Sequence, residues 1–138
     1  MGTGEENLQR LLGGLAPVLG DGEFVFASLA GAQYGDHSEL MPVAMCSEGE
    51  GLTLVIPRER ADQYEIPYDS VFRRITLTVH SSLDAVGLTA VFSRQLTDHG
   101  ISANVVAGYY HDHIFVQAER AQDALAAIQA LAEATRDA

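Results

Sequence analysis

The chain has 138 residues, 47% hydrophobic and 20% charged, a composition of globular rather than disordered chains and enough for one domain or two small ones. Eight basic against nineteen acidic residues leave a net charge of −11, and all eight basic residues are Arg. Clustered positive charge binds phosphate backbones, so nucleic acid and anionic membrane surfaces are not expected partners. Without Lys, neither a Walker A phosphate loop nor Schiff-base chemistry is expected.

In chain order, Leu8, Leu11, Leu12 and Leu15 have helical spacing, and the predicted helix ends at Gly20-Asp21-Gly22. A strand follows over 24–30, then a loop over 31–40. Apolar runs 43–47 and 52–56 flank Glu48-Gly49-Glu50-Gly51 and read as a hairpin. Pro57 suits the entrance of a short helix reaching Tyr64. Residues 68–80 read as one long strand, with Ile75, Leu77 and Val79 alternating with Arg74, Thr76 and Thr78. Residues 84–99 read as a helix with Leu88, Phe92 and Leu96 on one face and Gly100 as its stop. A second hairpin, 102–110 with 113–117, turns near His111-Asp112. Ala121, Ala124, Leu125, Ile128 and Leu131 mark a closing amphipathic helix.

The two halves repeat. At an offset of 80, Leu8, Leu11, Leu12 and Gly20 fall on Leu88, Val91, Phe92 and Gly100; at 60, Glu59-Arg60-Ala61 falls on Glu119-Arg120-Ala121. Each copy reads helix, strand, strand, helix. Two split βαβ units imply an α+β, ferredoxin-like architecture, with antiparallel sheets covered by helices on one face. Copy one lacks a strand before its first helix and copy two lacks one after its last. The sheets must complete each other or a second chain must do so, and the edges left open lead to an expected homodimer.

Arg74 through Thr89, then His99 to Val106 and Tyr110 to Val116, resemble the first strand, ligand loop, helix and hairpin of an ACT domain. Residues 1–70 resemble the degenerate partner of a tandem pair, with 71–138 the second domain and the strand 68–80 shared. The plan is similar to the βαββαβ-type ACT pairs of aspartokinases and CASTOR-type arginine sensors. The resemblance implies regulatory binding of a small ligand, an amino acid above all, between ACT units. Carried over by position, the ligand loop falls on Ser81, Ser82, Leu83, Asp84, Ala85, Val86, Gly87 and Leu88, and the receiving strand on Asn104, Val105 and Val106. Free N–H groups where the helix starts suit a carboxylate, and Gly87 lets the backbone approach closely. Asp84 is placed to pair an ammonium group, and Asn104 offers donor and acceptor. Many ACT loops carry Pro before this glycine; here the residue is Val86.

Other readings stay open beside this one. Ser81 to Asp84 also suit plain helix capping. His111 and His113 are the candidate ligands of a metal-responsive ACT-like module, although a site needs three or four donors; a polar hairpin turn is the ordinary reading of them. Tyr109 and Tyr110 are expected to pack across strands. Arg73 and Arg74 are expected to form intramolecular pairs. A small ferredoxin-like enzyme with a cleft His is the third reading, but no nucleophile elbow, zinc-protease motif or dinucleotide fingerprint is present. No catalytic residue, resident metal or cofactor is expected. An acidic start, a lone Cys46 and apolar runs far short of the ~20 residues that span a bilayer lead to an expected cytoplasmic protein without membrane segments.

Overall fold

A computed structural model describes residues 4–138. Its elements in chain order are α1 (Leu8–Gly13), β1 (Pro17–Leu19), β2 (Phe24–Leu29), β3 (Ala44–Glu48), β4 (Gly51–Pro57), α2 (Arg58–Gln63) and β5 (Phe72–Leu77). Then come α3 (Leu88–Asp98), β6 (Asn104–Ala107), β7 (Asp112–Gln117) and α4 (Ala121–Arg136). The α+β tandem ferredoxin-like class holds. Among the described residues no helix is long and apolar enough to cross a membrane.

Two compact units share the chain. One joins the segment ending at Gly20 to Arg74–Ala138, and the other is Asp21–Arg73. The sequence-stretch division expected at 70/71 follows the chain; in space α1 and β1 lie with the C-terminal unit.

In that C-terminal unit the strand order is β1-β5-β7-β6. The strand missing after α4 is supplied by Pro17–Leu19, antiparallel to β5 with Val18 opposite Thr76. Thr78 fastens the end of this pairing, its N–H and hydroxyl both donating to the Ala16 carbonyl. The helix expected to run to Gly20 therefore stops at Gly13, because Pro17 cannot donate to a helical turn and the segment is claimed by the sheet. Helices cover one face: Ile75, Leu77, Ile114 and Val116 meet Leu11, Phe92, Leu96 and Ile128, all fully buried. On the opposite face the Thr76 hydroxyl meets the His113 Nδ1 at 2.9 Å. Asn7 caps α1 by accepting from the Arg10 N–H, and Arg136 closes it by donating to the Gly13 carbonyl at 2.8 Å.

The second unit orders its strands β3-β4-β2, antiparallel throughout. Val25, Ala27, Leu52, Leu54 and Ile56 form its core with Ala61 of α2 and Leu40. Tyr68 is not in a strand: its hydroxyl accepts from Arg58 Nε and donates to Asp62, so the long strand expected over 68–80 is only Phe72–Leu77. The repeat relates β2 to β6 and β4 to β7. Phe24 pairs with Pro57, whose counterpart is Gln117, yet Asn104 pairs with Phe115. An even slip of this kind keeps every side chain on its own face.

Leu11 is fully buried in the C-terminal unit. Leu11→Ala should cost about 2–5 kcal/mol, and hydrogen exchange should quicken in α3 and α4. An unchanged melting temperature would show that α1 is dispensable to that core.

Candidate functional site

The chain leaves β5 at Leu77 and turns through 78–87 before α3. Glu5 pins the turn, its N–H donating to the His80 carbonyl and its own carbonyl accepting from the Ser82 N–H, both at 3.0 Å. Ser82 then closes a tight local turn: its hydroxyl accepts from the Asp84 N–H and its carbonyl from the Ala85 N–H. Gly87 follows at φ +100°, a left-handed setting that delays α3 to Leu88 rather than the expected 84. A Cβ at Gly87 would also stand 3.2 Å from the Leu8 side chain. Its glycine is thus required by backbone and packing, with no ligand needed to explain it.

Between this turn and the ends of β6 and β7 lies a recess of about 90 Å³. Ser81, Ser82, Leu83, Ala85 and Leu88 line it from the expected loop. Asp84, Val86 and Gly87 do not, and Asp84 is exposed. Asn104 and Val106 alternate onto the helix-free face, where Asn104 Nδ2 donates to the Phe115 carbonyl, and Val105 packs on the core. None of the three reaches the recess of its own chain.

Thr89, Ala107 and Asp112 complete the lining, and Asp112 is the residue sequence reasoning missed. The hairpin turns over 108–111, with the Gly108 N–H donating to the His111 carbonyl, so Asp112 is not a turn residue but the first of β7. Alternation puts it on the helix-facing side with Ile114 and Val116. It is only 9% exposed, and no hydrogen bond from a described residue reaches its carboxylate. Burial pushes its pKa above the ordinary carboxylate value, while charge on His113 and His111 pulls the other way. Ser81, Ser82 and Asp112 are the buried polar side chains among the described residues, and all three line this one recess.

The other clusters are less suited to a ligand. A larger cavity of about 600 Å³ in the Asp21–Arg73 unit is lined by Arg58, Glu23 and Asp62, but these pair with one another, Arg58 to Glu23 at 2.9 Å and to Asp62 at 3.9 Å. Tyr109 and Tyr110 do not pack across strands: they stand in the hairpin turn, more than half exposed, with rings 5.0 Å apart. The His113 ring is lowered in pKa by burial first, then by the charges of Arg74 and His111. Among the described residues no three His, Cys, Asp or Glu side chains converge on a metal position.

Two ACT domain models match the sequence, over residues 3–73 and 70–131. The chain belongs to the ACT domain family. ACT domains are regulatory ligand-binding modules, and here two occur in tandem. A Vibrio cholerae protein of unknown function, described as a possible transport protein, is 52% identical, with a TM-score of 0.83 over 91% of this chain and 95% of that one. The fold alone is shared with Agrobacterium tumefaciens protein Atu0741 (16% identity, TM-score 0.71, 86% and 89% covered). The same holds for the regulatory subunit of aspartate kinase from Thermus thermophilus, in its ligand-free form (10%, 0.58, 86% and 98%). No curated protein sequence matches the chain.

A raised carboxylate pKa means the folded ACT unit holds the Asp112 proton more tightly than the unfolded chain does, so stability falls as pH rises from the ordinary carboxylate value through the raised one. Asp112→Asn should therefore stabilise the protein at pH 7, on the order of 1 kcal/mol. The gain should fade as pH falls and the wild-type carboxyl protonates. Thermal melts from pH 3 to 8 check this, and a loss of stability at pH 7 would show that Asp112 has a structural partner.

Proposed function

We propose that this tandem-ACT protein is a cytoplasmic, non-catalytic regulator that binds an amino acid at the loop from Ser81 to Leu88. The carrying observation is the gathering of the buried polar side chains Ser81, Ser82 and Asp112 around one recess beside the start of α3. The first N–H groups of α3, at Leu88, Thr89 and Ala90, precede the first helical bond, made by the Val91 N–H to the Gly87 carbonyl. They and the helix dipole favour a carboxylate. At about 90 Å³ the recess is small and suits a head group rather than a whole larger amino acid. The ligand's side chain then leaves past Leu83 and Val86, which are 63% and 84% exposed.

Asn104, Val105 and Val106 enter this reading through a homodimer, as the strand of a second copy laid over the loop. β6 ends its strand order, so one side of it is open to such a neighbour among the described residues. Ligand binding then changes how the copies meet, which is the regulatory output.

A screen of the twenty amino acids at millimolar concentration tests the reading. A ligand at a hundredfold excess over Kd stabilises the folded state by about 2.7 kcal/mol, a rise of several degrees in Tm. Light scattering should give twice the 14.8 kDa chain mass. No shift with any amino acid would overturn the ligand, and a strict monomer would overturn the dimer.

A further inference from the structure

Resting on the reading that this recess takes a small acid by its head group, we propose that Asp112 reads the ligand's ammonium group and so selects α-amino acids over their 2-hydroxy counterparts. Asp112 stands on the apolar, helix-facing side of β7, where the next inward residues are Ile114 and Val116. Its strand partner Ala107 has no polar side-chain atom to offer. Asp112 is only 9% exposed and faces the recess, where burial disfavours its ionised form and an incoming cation would favour it.

The geometry says which cation fits. Asp112 shares the recess with Leu88 and Thr89, whose N–H groups begin α3. An acidic side chain and the residues that begin α3 thus border one small space. That arrangement complements a zwitterion: carboxylate to α3, ammonium to Asp112. A 2-hydroxy acid meets α3 alike and brings no cation to Asp112. The raised pKa of Asp112 agrees, since an arriving ammonium restores the environment an ionised carboxyl needs. Asp84, the acid its position in the sequence suggested for this role, is exposed and outside the recess.

Calorimetry on the full chain tests the assignment, with each of the twenty amino acids and the 2-hydroxy counterpart of any that binds (L-lactate for L-alanine, L-malate for L-aspartate). The wild type should bind the amino acid at least tenfold more tightly than the hydroxy acid. Asp112→Asn should weaken the amino acid by about tenfold or more, the scale of a charge-assisted hydrogen bond. It should leave the hydroxy acid unchanged, and Asp84→Asn should change neither. Equal wild-type affinity for the two acids overturns the proposal without any variant, and so does an equal loss of both in Asp112→Asn. If the amino acid binds and Asp112→Asn keeps its preference, the ammonium is read elsewhere while the site stands. If no amino acid binds the wild type, both fall.

Discussion

The turn between β5 and α3 is held by backbone bonds at one end and by a left-handed glycine at the other. Glu5 brackets Ser82, Ser82 satisfies Asp84 and Ala85, and Gly87 at φ +100° sends the chain into α3 at Leu88. Were the helix to begin at 84, as periodicity alone suggests, its first turn would occupy the ground where the recess lies. The delay leaves the Leu88 and Thr89 end of α3 facing the ends of β6 and β7 across that gap. Leu8 packs against Gly87, so α1 braces the same turn.

Into this frame the fold places an acid, Asp112, whose ionised form burial disfavours. The other inward residues of β7, Ile114 and Val116, are apolar and fully buried, and Asp112 stands in line with them at 9% exposed. The neighbouring Ser81 and Ser82 make the recess polar enough for a head group, and Leu83, which also lines it, is largely exposed. Selectivity for ammonium and selectivity for side chain are then separate, the first within the recess and the second beyond it.

Much of this was legible in the residues. The alternation at Ile75 and Leu77, the Glu48 to Gly51 hairpin and the apolar stripe of α4 report local periodicities, and they appear as β5, β3–β4 and α4. The ACT resemblance over 70–130 likewise rests on contiguous motifs. What escaped depends on partners distant in sequence. Leu15 continues the spacing of Leu8, Leu11 and Leu12, so β1 is invisible until Pro17–Leu19 meets β5 some sixty residues on. Asp112 lay hidden because a His-Asp-His run suggests a turn, whereas Gly108 closes the turn early and β7 begins at the acid. Asp84 and Asn104 hold the family motif's positions, yet the side-chain geometry of one chain puts neither in the recess.

In the proposed complex a ligand's head group sits between the start of α3 and Asp112. Amide chemical shifts followed while an amino acid is titrated into the labelled full chain test this most directly. The largest changes are expected at Leu88, Thr89, Ala107 and Asp112, with the N–H of Leu88 or Thr89 moving downfield as it meets a carboxylate. Changes centred instead on Glu23, Arg58 and Asp62, with the start of α3 silent, would contradict it.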